Sequence, residues 1–374
     1  MGGAMTAQQT ILLTAIFAGA SCSLVGVFLV LRRMAMMADA ISHAILPGLV
    51  AAYVLANGPN LLAGIAGASA AGLLTVVLVE ALQRSGRVKS DGAIGIVFPA
   101  LFAIGTLAIS LWFANVHLDA DAILYGEIAF APFDRLIIAG YDLGSQPLIV
   151  LVALTAINFA LLLLFFKELK LATFDPGLAA ALGFSPALIH YGLMAGVSAT
   201  TVGGFAAVGA ILVVALMIVP AATAYLLTDR LGWMVAIAVA VGAGSGVVGY
   251  QIAWALDVSI SGMIAVVMGA AFGLAATFSP SHGIVARTIR RGRQRDRFAA
   301  DVLLLHLDHH PAGVESLARL ETRLRWPAAR LDGAARRIQA ERLATVQAGE
   351  LRLTELGRAE AARIASGLGV ASAD

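Results

Sequence analysis

Nine stretches of predominantly apolar residues occupy the first three quarters of the chain, at roughly 11–31, 36–56, 61–81, 93–114, 147–166, 186–203, 206–227, 232–254 and 259–278. A helix needs about 20 such residues to cross the hydrocarbon core of a bilayer, so the pattern predicts nine membrane spans. The 186–203 stretch is the shortest and is expected to stop at Gly203–Gly204. Glycine and alanine recur inside the spans, at Gly64, Gly67, Gly72 and from Gly242 to Gly249. Small residues let helix backbones approach closely in lipid, and close packing is the expected role of nearly all of them.

The pattern changes after Ser281. A basic linker over 285–296 carries Arg287, Arg290, Arg291, Arg293 and Arg295, and polar and apolar positions then alternate as in a soluble domain over 297–374. Periodicity predicts helices near 297–309, 313–323 and 328–342. Strands follow at Ala344–Gln347 and Glu350–Leu353 about a turn at Ala348–Gly349, and Thr354 caps a last helix over 355–367. Three helices, a hairpin and a closing helix resemble a winged-helix domain. The expected organisation is a transmembrane bundle over 1–284, the linker, and this small α+β domain.

Composition agrees with lipid as the solvent. Hydrophobic residues make up 60% of the 374 and charged residues 13%, about half the share usual in soluble domains, and the mean hydropathy is +0.88. Residues 1–284 hold nine Lys/Arg and twelve Asp/Glu, whereas 285–374 hold sixteen Arg and eleven Asp/Glu. Basic residues mark the cytoplasmic side. With the N-terminus outside, Arg32, Arg33, Arg84, Arg87, Lys89, Lys167, Lys170, Arg230 and the Arg-rich tail all fall inside, and Arg135 alone falls outside with Asp119, Asp121, Glu127, Asp134, Asp142 and Asp257. The expectation is an all-α polytopic bundle, N-out and C-in, in the cell inner membrane. The uncharged first ten residues, with Arg32–Arg33 after the first apolar run, fit a retained helix better than a cleaved signal. One cysteine, Cys22, excludes an intramolecular disulfide and a thiolate metal cage.

Chemistry concentrates in Arg32-Arg-Met-Ala-Met-Met-Ala-Asp39-Ala-Ile-Ser-His43-Ala-Ile-Leu-Pro47-Gly48. Ionisable residues inside a span are costly and usually face the bundle interior or a pathway. Asp39 and His43, four apart, share one helical face. A carboxylate oxygen with an imidazole nitrogen suits a first-row divalent cation, with Ser42 and Met36 as candidate neighbours. Pro47 frees the His43 carbonyl and favours a kink. Mutual hydrogen bonding of Asp39 and His43, or a place near the interface about 9 Å along the helix from Arg33, fits the spacing equally.

The same stretch resembles the signature of the permease family of ABC-type manganese, zinc and iron importers, with Ala38 where that family usually has Gly. The resemblance continues through Asp91-Gly-Ala-Ile-Gly-Ile, Leu124-Tyr-Gly-Glu127, Asp175-Pro-Gly-Leu-Ala-Ala-Ala-Leu-Gly183 and Val208-Gly-Ala-Ile to Pro220-Ala-Ala-Thr-Ala, over about 10–278. It implies that Asp39 and His43 coordinate a transported manganese, zinc or iron ion, with no covalently bound cofactor. It also implies a second permease chain, identical or related, and an extracytoplasmic metal-binding protein as partners. Between spans, Asp175–Pro176 opens a short helix and Gly183 closes it, by the terminal preferences of proline and glycine. The resemblance makes this the helix that couples to an ATPase subunit, through Asp175, Pro176, Ala179, Ala180, Leu182 and Gly183. No G-x-x-x-x-G-K-[ST] loop is present, so ATP hydrolysis is assigned to a separate subunit and the chain itself is not an enzyme.

Two features stand apart. His117 and the external carboxylates read as a solvated rim or a cation-attracting one. In the tail, His306 and His310 stand at metal-ligand spacing on a helix, which suits either polar surface or a metal sensor. Arg336 and Arg337 could meet phosphate, but a membrane-tethered domain is poorly placed to find DNA, and nucleic acid is not an expected partner. Two rival functions fit the pattern less well: a membrane-tethered metal-responsive regulator and an ATP-independent secondary transporter. Neither explains the Asp175–Gly183 helix as well.

Overall fold

The computed structural model describes residues 5–58, 60–112, 128–138, 141–280, 283–310, 313–347 and 349–368. His117, Asp119, Asp121, the 124–127 motif with Glu127, and Ala348 lie outside the described residues. The chain divides into two compact units, Met1–His282 and Gly283–Asp374.

In the first unit the helices are α1 (Ala7–Leu31), α2 (Ala35–Ala44), α3 (Leu46–Leu55), α4 (Leu61–Arg84), α5 (Ser90–Trp112), α6 (Gln146–Leu164), α7 (Phe166–Phe174), α8 (Pro176–Ala181), α9 (Pro186–Val208), α10 (Ala210–Leu227), α11 (Leu231–Leu256) and α12 (Ile260–Phe278). Among the described residues, nine helices are long and apolar enough to cross a membrane when α2 and α3 count as one interrupted span. The ninefold apolar pattern is therefore realised, with each end within about five residues of its expected place. Three differences have local causes. The sixth span runs past Gly203–Gly204 to Val208 and ends where Gly209 takes a φ of +83°. A two-stranded antiparallel hairpin, β1 (Arg135–Ile138) with β2 (Tyr141–Ser145), interrupts the all-α expectation between α5 and α6. The segment 166–174, ahead of the short helix, is itself helical.

Helix α1 is the hub of this unit, packed against α6, α9, α10 and α11. It lacks an amphipathic stripe because it is surrounded: Ala18, Cys22, Val27 and Leu29 are all fully buried. Glycine allows the crossings. A Cβ on Gly26 would lie 2.0 Å from the Met217 carbonyl oxygen, and one on Gly48 would lie 2.1 Å from that of Gly67. Packing thus explains Gly67, Gly72, Gly242, Gly246 and Gly249, whereas Gly244 has no atom within 4 Å of its would-be Cβ and Gly64 meets only a leucine methyl. Apolar side chains such as Leu62, Leu107, Leu163 and Leu274 stand exposed on the spans, as a lipid-facing surface requires.

The second unit consists of α13 (Ile284–Asp308), β3 (Val314–Ser316), α14 (Leu317–Leu324), α15 (Ala328–Ala340), β4 (Ala344–Gln347), β5 (Glu350–Leu353) and α16 (Glu355–Leu368). Its core is built from Leu303, Leu304, Leu307, Leu320, Leu331, Ile338 and Leu351. The expected linker over 285–296 is instead the first half of α13, because its arginines are good helix formers and it contains no proline. Residues 314–316, expected as helix, form a third strand that pairs antiparallel with β5, giving the sheet order β3-β5-β4. Ser316 then caps α14 through its hydroxyl.

Candidate functional site

The turn Arg32–Met34 sets up the first part of the site. Arg33 adopts a φ of 57°, and the Met34 amide donates back to the Leu29 carbonyl, so α1 ends there and a new helix begins at Ala35. Asp39 is therefore not on a continuous helix with Arg33, and the 9 Å axial estimate does not apply. Helix α2 lasts ten residues and breaks at Ile45, two residues after His43, whose carbonyl Pro47 leaves without its usual donor.

On this short helix His43 Nε2 lies 3.6 Å from Asp39 Oδ1. That exceeds a hydrogen bond. Bonds of about 2.1 Å to one first-row cation would set two ligand atoms about 3.0 Å apart in octahedral geometry and about 3.4 Å apart in tetrahedral geometry. The pair is thus close to a chelating separation, and its side chains are 42% (Asp39) and 31% (His43) exposed. The imidazole rests on Phe98 and Phe102 of α5, with centroids 5.9 and 6.4 Å away. These aromatics hold the ring and cannot ligate. Ser42 does not border the pair: it is buried and donates its hydroxyl to the Asp39 carbonyl at 2.7 Å. Met36, by contrast, is exposed. Among the described residues, no three His, Cys, Asp or Glu side chains are arranged as a metal shell, and Asp39 and His43 stand here as a pair.

A second polar cluster has no counterpart in the sequence reading. Glu80, near the end of α4, receives the Tyr191 hydroxyl at 2.7 Å and Arg84 at 3.2 Å, and its Oε1 is 2.6 Å from His190 Nε2 in a close contact off the ideal hydrogen-bond axis. Arg32 reaches His190 Nδ1 at 3.2 Å and donates from Nε to the Thr173 hydroxyl at 3.2 Å. A guanidinium only donates, so Nδ1 accepts and the ring proton resides on Nε2, facing the carboxylate. Burial lowers the Arg32 pKa from its ordinary value. This cluster ties the turn before α2 to α4, to α9 and to α7. Sequence could have signalled it, since Glu80 and His190 are ionisable groups in apolar stretches.

The short helix α8 forms as its terminal residues predict. Asp175 Oδ1 accepts the Leu178 amide at 2.9 Å, Pro176 takes the first helical position, and Gly183 closes the turn at φ +87°. Asp175, Pro176, Ala180, Leu182 and Gly183 are exposed, with Leu178, Phe174 and Phe184. Ala179 is fully buried and so is excluded from any docking surface; one face of so short a helix must seat on the bundle. In the second unit, His306 and His310 both converge on Glu315.

Comparison with known proteins agrees with this architecture. A family model described as the ABC 3 transport family matches residues 5–279. The manganese transport system membrane protein MntD of Bacillus subtilis is 46% identical over 286 residues, covering 76% of this chain and 97% of that one. The zinc transport system membrane protein TroD of Treponema pallidum is 42% identical over 305 residues, covering 82% and 83%. Among solved structures, PsaBC from Streptococcus pneumoniae in complex with Fab superposes with a TM-score of 0.62 at 31% identity, covering 73% of this chain and 92% of that chain. With nine apolar spans among the described residues and a family match across nearly all of the first unit, the chain belongs to the ABC 3 transport family.

Proposed function

We propose that this chain is the membrane permease subunit of an ATP-driven importer for a divalent transition metal, manganese first, with zinc and iron(II) as the alternatives. The observation that carries the reading is the Asp39–His43 pair, at 3.6 Å on a short helix broken at both ends and open on one side. Two ligands are half a shell. A second permease chain against this face would supply another carboxylate and imidazole, and the ion would pass between the two. The mixed O/N set leans toward manganese but does not discriminate strongly; the relatives' names, which include both manganese and zinc systems, support the same range.

Energy enters from a separate ATPase, for which α8 is the docking element. Its exposed Leu178 and Leu182, with Phe174 and Phe184 beside it, give an apolar surface of the kind a partner covers. Thr173, two residues before Asp175, contacts Arg32, which lies seven residues before Asp39. Movement of α8 therefore has a short covalent and hydrogen-bonded route to the metal pair. The distribution of basic residues supports the N-out, C-in orientation in the cell inner membrane, and an extracytoplasmic binding protein would deliver the metal. The strand order and helix succession of the second unit support the winged-helix reading of 297–374.

Uptake of radioactive manganese and zinc tests the assignment. The Asp39–His43 contact is partly exposed and longer than a hydrogen bond, so removing it should cost less than about 1 kcal/mol in stability. Asp39→Ala and His43→Ala should each abolish uptake while the protein still assembles. Normal uptake by both variants would refute the proposal, and uptake that persists without ATP would favour the secondary-transporter reading.

A further inference from the structure

The second unit buries a carboxylate that its core does not need. Glu315 lies on the inward face of β3, opposite Leu351 in the sheet register, and its side chain is 2% exposed. An apolar side chain there would avoid the desolvation penalty of a buried charge. Glu315 is instead met by two imidazoles and one guanidinium: His306 Nε2 at 2.6 Å from Oε2, His310 Nε2 at 3.9 Å from Oε1, and Arg323 Nη1 at 3.4 Å from Oε1. His306 lies in the last turn of α13, His310 follows the end of that helix, and Glu315 is on the edge strand β3. The two imidazoles are thus presented to one carboxylate from a helix end, and each is about three-quarters buried.

We propose that His306, His310 and Glu315 form a second transition-metal site, distinct from the Asp39–His43 pair and independent of the transport reading. Two imidazole nitrogens and one carboxylate are a known ligand set for zinc-class ions, leaving a position for water. Tetrahedral ligands on bonds of about 2.1 Å stand about 3.4 Å apart; His306 Nε2 comes within 2.6 Å of Oε2 and His310 Nε2 within 3.9 Å of Oε1, the two oxygens of one carboxylate. The three side chains do not yet surround a single point. Binding asks the two imidazoles to reorient about the carboxylate until all three groups face one point. Arg323 supplies the positive charge that the ion would replace. Its side chain is 62% exposed and can swing into water without leaving a buried charge behind.

The test uses the full chain in detergent micelles with both Asp39 and His43 changed to alanine, so that the other candidate pair cannot contribute. Equilibrium dialysis against Zn²⁺ counts the ions, and Co²⁺ serves as the optical probe of tetrahedral geometry. The expected result is one Zn²⁺ per chain. Affinity should fall about 100-fold or more on adding His310→Ala, a partly exposed position whose loss should spare the fold, and Glu315→Gln should abolish the Co²⁺ spectrum. Arg323→Ala should tighten binding several-fold, whereas a purely structural ion-pair cluster predicts no metal response. Failure of the Asp39/His43-altered protein to retain Zn²⁺, or unchanged affinity in His310→Ala, would overturn the site. A difference in Zn²⁺ count between the parent and that protein reports on the Asp39–His43 pair alone, so the two proposals fail separately.

Discussion

Replacing Glu80 should be the most damaging single truncation in the polar cluster of the first unit. The side chain is 17% exposed, and His190 beside it is 15% exposed. Glu80→Ala strands two groups at once: the imidazole 2.6 Å from Oε1 and the Tyr191 hydroxyl 2.7 Å from Oε2. A hydrogen bond to a charged group is worth about 1.5–3 kcal/mol, and leaving a buried neutral donor unsatisfied costs about 1–3 kcal/mol more. The third contact adds little, because Arg84 is 73% exposed and exposed pairs contribute about 0–1 kcal/mol. The reasoning predicts an order, Glu80→Ala worst, Glu80→Gln intermediate and Arg84→Ala near neutral. Thermal unfolding of the full chain in detergent measures it. At roughly 2–4 °C per kcal/mol for a domain of this size, Glu80→Ala should lower Tm by about 10 °C, and Arg84→Ala by about 2 °C or less. If Arg84→Ala is as damaging as Glu80→Ala, or if Glu80→Ala leaves Tm within 2 °C, burial of the carboxylate is not what stabilises this corner.

Gly26→Ala should cost about 1–3 kcal/mol or more, because the added methyl meets the Met217 backbone carbonyl at 2.0 Å and neither helix can yield cheaply; Gly269→Ala, with nothing within 4 Å, should be neutral or slightly stabilising. Equal Tm changes for the two variants in detergent would contradict the crossing geometry. On the β1–β2 hairpin, a hydrogen bond from Arg135 and then the Gly144 amide hold the Asp142 pKa below its ordinary value of 3.8. A depressed carboxyl pKa means the contact stabilises above the ordinary value and is lost as pH falls through the lowered one. Infrared titration of the carboxyl band, assigned by its absence in Asp142→Asn, should find it moved upward in Arg135→Ala; an unmoved band would refute the pairing.

Much of this protein was legible along the chain because a bilayer imposes a one-dimensional rule. Every backbone polar group must be satisfied within its own segment, so length and hydropathy alone located nine spans, and proline and glycine at Pro176 and Gly183 bounded the short helix between two of them. The pair Asp39 and His43 was visible because a period of 3.6 converts a spacing of four into proximity. What sequence could not supply were relations between segments far apart in number. Glu80, His190, Arg32 and Thr173 come from four different parts of the chain, and none carries a local signal of the others. Ala179 and Ala180 are chemically identical neighbours, yet one is sealed against the bundle and the other is exposed, which only docking of the helix decides. In the tail, the histidines at 306 and 310 announced themselves by spacing, but the carboxylate between them was set in place by a strand that periodicity had assigned to a helix. Local propensity and solvent fix which segments form; the packing of those segments against one another, through contacts no pattern encodes, decides which side chains meet.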